Sequence, residues 1–371
     1  MVEPCVRRRR AAVKRLRILH LPATIGGHAP ALARAEREIG LDSRCVAFYD
    51  SPYGYEPDEV LFEGVGPLVR ESRRWRLLAH AVRWADIVHF NFGSSLMPRW
   101  EPDDGRGLAA YRHLLQLRDV GWLRRLGKGV AVTFQGDDAR QGNLAPDALV
   151  CEAGYYSAVS DARKRDRIRV FARHAHRIYA LNPDLLRVLP RSAEFLPYVH
   201  VCASEYEPAP PSASVPLRVA HAPTHRGGKG TRFVLDAVDL LRTEGLAVEL
   251  DLIEDLPHRT VRDRLATADV LVDQLLLGWY GGISVEAMAL AKPVVCFLDE
   301  GSLQYVPPGM AADLPVISAT PETLAEVLRN LATGHRGELP NLGARGRIFV
   351  ERWHDPQGIA SRLERDYRAM L

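Results

Sequence analysis

Short apolar runs rich in β-branched residues alternate with stretches of helical period along the whole chain. Leu16–Leu21, Asp86–Phe92, Gly129–Phe134 and Arg177–Leu181 are predicted strands in the first half. Leu217–Ala222, Val248–Ile253, Asp269–Leu275, Pro293–Leu298 and Leu314–Ile317 are predicted strands in the second. Their apolar character is continuous rather than alternating, which suits parallel strands covered on both faces. Between them, Thr231–Thr243 places Val234, Leu235, Val238 and Leu241 on one helical face, with Gly245 as a stop. Pro67–Ala85 reads as a helix with Leu68, Trp75, Leu78 and Val82 on one face and Arg70, Arg73, Arg74 and Arg83 elsewhere. Leu108–Gly127 is a further basic stretch, holding Trp122, Arg124 and Arg125. Strands alternating with helices predict βαβ units, hence an α/β protein with doubly wound parallel sheets.

The rhythm breaks between Val201 and Pro216, where Glu205–Ser214 is rich in proline and serine and has no period. This segment reads as an interdomain linker. The length of 371 residues fits two domains at about 150 residues each. The predicted division is 1–204 and 205–371, with 1–15 as a flexible basic tail and the last helix packing back on the first domain.

Composition narrows the class. No apolar run approaches the roughly 18 residues a membrane span needs. Arg7–Arg10 is not followed by an apolar segment of the kind a secretory signal requires, so the expected address is the cytoplasm. The five cysteines, Cys5, Cys45, Cys151, Cys202 and Cys296, are odd in number and contain no closely spaced pair. They suit a reducing compartment. The net charge is +3, divided as +9 over residues 1–200 and −6 over residues 201–371. A basic half and an acidic half fit two domains with different partners. Only five of the 49 basic residues are lysines.

Two strand ends run into glycine-rich turns. Leu16–Leu21 leads to Pro22-Ala-Thr-Ile-Gly26-Gly27-His28 and a helix from about Ala29. A glycine pair there either makes a tight turn or lets a ligand approach the backbone at a positive helix terminus. The dinucleotide fingerprint G-x-G-x-x-G is absent. Leu217–Ala222 leads to Ala222-Pro-Thr-His225-Arg226-Gly227-Gly228-Lys229-Gly230-Thr231 and another helix. Backbone amides and the Lys229 charge suit an anion, a solvated basic loop being the plainer alternative. The third segment runs from Asp269 to Val295, where a strand ends in Gly278-Trp279-Tyr280-Gly281-Gly282-Ile283 and a short helix carries Glu286. Tyr280, Gly281, Gly282 and Ile283 are candidate ligand contacts. Glu286 suits sugar hydroxyls, or simply complements the helix dipole.

In the first half, Val132-Thr133-Phe134-Gln135-Gly136-Asp137-Asp138-Ala139-Arg140 ends a strand. Asp137 and Asp138 are candidate acids or a turn and cap pair. His89 either lines a cleft or is a buried histidine with satisfied hydrogen bonds. Asp103-Asp104 lies in a loop rich in proline and glycine, and no metal constellation is visible.

The segment from Asp269 to Val295 resembles the donor-site signature of GT-B glycosyltransferases, in particular retaining glycosyltransferase family 4. In that family a glycine-rich turn and an E-A-M-A helix precede a Pro-Val-Val strand. The resemblance implies two Rossmann-like domains facing each other across a cleft. It implies a nucleotide-diphosphate sugar as donor substrate, with no permanently bound cofactor and no metal. It assigns Glu286 to the donor ribose, Lys229-Gly230 and Arg226 to the diphosphate, and Gly26-Gly27 to the loop after the first strand. Two positions depart from the pattern: Gly278 stands where the family has a first glutamate, and Gln135 where many relatives have histidine. The implied acceptors are a glycan, a lipid-linked sugar or a small molecule; the basic helices of the first domain either lie on an anionic membrane, as enzymes of this kind with lipid-linked acceptors often do, or present a solvated face. A nucleotide-sugar epimerase or hydrolase on the same fold, using Asp137 and Asp138, is the alternative, as is a non-catalytic binding homologue. No aromatic-basic strand pattern suggests nucleic acid.

Overall fold

A computed structural model describes residues 15–51, 53–99, 105–142, 156–212 and 215–371. The basic tail up to Lys14, Asp103-Asp104, Cys5 and Cys151 lie outside the described residues.

The first half folds in the order β1 (Arg17–Leu21), α1 (His28–Glu38), β2 (Asp42–Ala47), β3 (Glu59–Val60), α2 (Pro67–Trp84), β4 (Ile87–Asn91), α3 (Arg106–Leu115), α4 (Arg118–Arg125), β5 (Gly129–Phe134), α5 (Ala158–His174), β6 (Arg177–Ala180) and β7 (Glu194–Phe195). The second half continues with β8 (Leu217–His221), α6 (Arg226–Lys229), α7 (Thr231–Thr243), β9 (Val248–Leu252), α8 (His258–Thr267), β10 (Val270–Val272), α9 (Gly282–Ala289), β11 (Val294–Cys296), α10 (Pro308–Asp313), β12 (Ile317–Ser318), α11 (Leu324–Ala332), α12 (Leu339–Trp353) and α13 (Pro356–Arg368).

Two parallel sheets result, of order β3-β2-β1-β4-β5-β6-β7 and β12-β11-β10-β8-β9. Every residue of β4 and β5 is buried, as a continuous apolar run on a doubly covered sheet requires. Strand order reverses between β1 and β4 in the first sheet and between β8 and β10 in the second. Open α/β sheets bind ligands at the carboxyl ends of strands beside such reversals. The glycine-rich turns after β1 and β8 stand at these two places.

The helix predicted over Thr231–Thr243 forms with those bounds, burying Val234, Ala237, Val238 and Leu241. Gly245, at φ +83°, provides the left-handed stop. The apolar face expected for Pro67–Ala85 is corrected. Leu77, Leu78, Ala81 and Arg74 are buried, whereas Leu68 is 88% exposed and Trp75 41% exposed. Burying Arg74 shifts the inward face by about one position. The basic stretch Leu108–Gly127 falls in two helices, α3 and α4, parted at Leu117, which adopts φ +59°. The expected strand at Leu314–Ile317 shortens to Ile317–Ser318.

The described part of the proline-rich segment, up to Ser212, is irregular but anchored. Tyr206 is buried with the Arg262 guanidinium 3.9 Å above its ring. Ala209 donates its amide to the Leu290 carbonyl at 2.9 Å, and Ser212 to Asp269 at 2.9 Å. The chain returns at α13, which packs on α1. There Tyr367 reaches Glu36 at 3.0 Å and Arg362 binds Glu194 at 2.7 Å. The Arg187 guanidinium, which follows β6, also pairs with Asp299, which follows β11.

Candidate active site

A cleft of about 460 Å³ opens between the carboxyl ends of the two sheets. Gly26 and Ile25, in the turn after β1, line one wall. Thr224 and Lys229, after β8, line the other, and Gly281, Gly282, Ile283 and Glu286 close the floor.

The floor is organised around Asp273, which follows β10 and is 2% exposed. Its carboxylate accepts from Lys229 Nζ at 2.8 Å, from the Gly281 amide at 2.6 Å and from Ser284 Oγ at 2.7 Å. Burial alone would push this carboxyl up. The Lys229 ammonium and the bonds from Ser284 and Gly281 outweigh burial and hold it below the ordinary value. Gln274 takes a second hydrogen bond from Lys229 Nζ at 2.7 Å. The ammonium is thereby fixed beside the amino terminus of α9, whose first residues carry no side-chain cap. A fixed cation beside uncapped helix amides is an anion-binding arrangement. A Cβ at position 281 would lie 2.9 Å from Lys229 Nζ and 3.0 Å from Asp273 Oδ2 and so would push on that pair.

Glu286, one turn further along α9, is 1% exposed. His258 at the start of α8 donates to Oε2 at 2.7 Å, and His200 Nε2 lies 3.6 Å from Oε1. Burial pushes the Glu286 carboxyl up, but the two histidines more than offset it and hold it at about 2. The same bond raises His258 above its ordinary value. The Tyr55 ring, from the loop before β3, lies 5.4 Å from the His258 ring and so joins the two halves over the cleft. It packs against Gly27, where φ is +68° and a Cβ would fall 2.6 Å from Tyr55 Cδ1.

On the opposite wall, Gln135 lines the cleft with a buried Nε2 that has no partner among the described residues. Asp137 also lines it, its side chain 43% exposed, at 3.4 Å from Arg140 Nη1 and 3.3 Å from the Tyr156 hydroxyl.

Six sequence-predicted residues lie elsewhere. His89 is fully buried between the Tyr367 hydroxyl, at 2.6 Å, and Thr133 Oγ1, at 2.7 Å, within the first sheet. It does not line the cleft. Asp138 is buried and caps the amides of Gln135 at 3.0 Å and Gly136 at 2.7 Å. Burial pushes its carboxyl up to about 6 against those bonds. Tyr280 is buried with its hydroxyl 3.0 Å from His354 Nε2. Gly27 and Gly230 are buried turn residues in left-handed conformation. Arg226 is exposed and paired with Glu254 at 2.8 Å. Of the predicted set, the cleft gathers Gly26, Gln135, Asp137, Lys229, Gly281, Gly282, Ile283 and Glu286.

His200, His258, Tyr55 and Gln274 are site residues the sequence did not single out. Each is a lone side chain with no local spacing to mark it, and only the fold brings it to the cleft.

No protein-family model matches the sequence, nor does any curated protein. Solved structures do match. Anabaena HepE in complex with UDP-glucose aligns at TM-score 0.60 and 12% identity, over 95% of this chain and 100% of that one. Sucrose-phosphate synthase from Thermosynechococcus elongatus aligns at TM-score 0.58 and 16% identity, over 96% and 99%. A putative UDP-N-acetylglucosamine 2-epimerase from Listeria monocytogenes aligns at TM-score 0.52 and 11% identity, over 95% of each chain. Together with the two facing parallel sheets, these likenesses define the fold as GT-B.

Proposed function

We propose that the chain is a glycosyltransferase that moves a sugar from a nucleoside-diphosphate sugar to an acceptor held by the first domain, residues 1–204. One observation carries this reading: Lys229 and Glu286 line one cleft together with Gly281, Gly282 and Ile283 at the amino terminus of α9. The diphosphate sits against Lys229 and the amides of Gly282 and Ile283. The ribose hydroxyls donate to Glu286, His258 and His200 giving way or sharing that carboxylate. HepE, alike in fold and solved in complex with UDP-glucose, supports a nucleotide-sugar donor.

The chemistry asked of the protein is charge stabilisation at the leaving diphosphate, supplied by fixed dipoles and Lys229 without a metal ion. The transfer proceeds with retention, the leaving phosphate helping to deprotonate the acceptor hydroxyl. Such a route does not need a histidine at position 135. Closure of the two domains excludes water.

The test is thermal unfolding with UDP, GDP, dTDP, ADP and CMP, for wild type, Lys229→Ala and Glu286→Ala. A nucleotide at 100 times its dissociation constant adds about 2.7 kcal/mol. One nucleoside diphosphate should stabilise wild type and neither variant. A panel with no response removes the donor site. Asp137 favours a second reading, an epimerase or hydrolase on this fold, because its carboxylate does reach the cleft. Turnover of a nucleotide sugar without acceptor, lost in Asp137→Asn, would establish that reading instead.

A further inference from the structure

Glu286 borders the cleft, yet its carboxylate is shut: the residue is 1% exposed. Its two oxygens face two histidines. His258 Nε2 donates to Oε2 at 2.7 Å, and His200 Nε2 lies 3.6 Å from Oε1. Tyr55, which also lines the cleft, covers His258 with ring centres 5.4 Å apart. Burial and the Glu286 charge both raise the Tyr55 hydroxyl, so that hydroxyl stands within the field of the same carboxylate. A carboxylate with so little exposure accepts nothing from a sugar hydroxyl until a neighbour moves, because the bond needs oxygen atoms within about 3 Å.

The two histidines differ in their freedom to move. The His200 side chain is 3% exposed and sits against the amino end of α9, where a Cβ on Gly282 would lie 3.0 Å from its Cε1. The His258 side chain is 26% exposed. It opens α8 directly after a turn in which Asp255 is exposed at φ +52°. What holds His258 from above is Tyr55, on the loop between β2 and β3 of the other half of the chain.

We propose that His258, covered by Tyr55, is a gate that occupies the ribose position on Glu286 and that the ribose of the nucleotide donor displaces it. The gate rests on the donor reading of this cleft. The exchange conserves hydrogen bonds: His258 withdraws one donor from Oε2 and a ribose hydroxyl supplies another. The buried carboxylate is thereby bonded in both states, and the costly bare state is avoided. Admission of the donor is also tied to the two halves of the molecule, since Tyr55 belongs to the first and His258 and Glu286 to the second. Drawing the halves apart lifts Tyr55 from His258 and frees the imidazole to swing.

A site whose competent form is only partly populated binds with its intrinsic affinity reduced by that fraction. Removing the gate therefore tightens nucleotide binding, although it deletes a contact and loosens the unliganded protein. A residue with a merely structural role shows the second effect without the first.

The test is isothermal titration of the full chain with UDP, GDP, dTDP, ADP and CMP, and with pyrophosphate, which carries no ribose, for wild type, His258→Ala and Tyr55→Leu. The nucleotide that wild type binds best should bind about tenfold tighter to His258→Ala and about threefold tighter to Tyr55→Leu. Pyrophosphate shows no such gain, and Tm without ligand falls in His258→Ala. Tyr55→Leu, a change in a loop, carries the test should His258→Ala fail to fold. Nucleotide binding that is present in wild type but unchanged or weaker in the folded variants overturns the gate and leaves the donor site standing. A gain for pyrophosphate equal to that for the nucleotide also overturns it, since the ribose is then not what His258 excludes. No nucleotide binding by wild type or by either variant overturns the donor reading itself, and the gate falls with it.

Discussion

Lys229 Nζ lies 2.8 Å from Asp273 Oδ1, tying the turn after β8 to the end of β10. The Asp273 carboxylate is nearly inaccessible, so removing the lysine leaves a buried charge that, among the described residues, keeps the bonds from the Gly281 amide and Ser284. Breaking such a pair typically costs about 3 kcal/mol. Lys229→Ala should therefore lower Tm without any ligand, besides losing the nucleotide response. Lys229→Met/Asp273→Asn removes both charges and should recover most of the stability, still without a nucleotide response. If the double variant responds to the nucleotide like wild type, Lys229 has no part in binding it.

Gly278, which stands where the resembled motif has a glutamate, is held by close packing. A Cβ at Gly278 would lie 2.4 Å from Asp299 Cβ and 3.3 Å from the Asp299 amide. That amide donates to the Gly278 carbonyl at 3.0 Å, and Asp299 in turn pairs with Arg187 across the two halves. Gly278→Glu should not add a donor contact. It should destabilise by about 1–3 kcal/mol, as overpacking does, and weaken the Arg187–Asp299 pair. Higher nucleotide-sugar affinity in this variant, with unchanged Tm, would show that the loop has room for a glutamate.

Much of this architecture was legible in the chain because parallel strands bury both faces and so announce themselves as continuous apolar runs. The glycine-rich turns were legible too, since backbone approach and left-handed φ leave few alternatives to glycine. Side-chain direction was not. Tyr280 and Glu286 sit in one motif, yet Tyr280 turns inward to His354 and Glu286 toward the cleft. The α2 face was misplaced because Arg74 behaves as a core residue, its plane covered by Phe48 and Phe62. His89 satisfied both nitrogens through partners 44 and 278 residues away. No local pattern encodes contacts of that range.

Adjacent Asp137 and Asp138 should separate cleanly by mutation. Asp138 accepts from two backbone amides in the turn after β5, so Asp138→Ala should cost about 1–2 kcal/mol of stability, the scale of a lost cap. Asp137 is partly exposed in the cleft, and Asp137→Asn should leave Tm within about 0.5 kcal/mol equivalent. Activity lost in Asp137→Asn at unchanged Tm would mark a role at the reacting centre. Arg140, 3.4 Å from Asp137, also pairs with Asp184 at 2.6 Å, and a large Tm loss in Asp137→Asn would instead make Asp137 part of that network.

The pair His258–Glu286 predicts a pH window. His258 is raised above 6.5 in the folded protein, so its contribution is fully present below pH 6.5 and fades as pH rises through the raised value. Glu286 is held at about 2 against 4.5, so its contribution is present above pH 4.5 and is lost as pH falls toward 2. Both conditions hold between about pH 4.5 and 6.5. His258→Gln keeps a hydrogen-bond donor but no titrating charge. The Tm difference between wild type and His258→Gln should therefore be largest inside that window and shrink on its alkaline side. A difference that is flat from pH 5 to 9 would mean that His258 holds Glu286 as a neutral donor, and that the carboxylate is kept ionised by His200 and its surroundings alone.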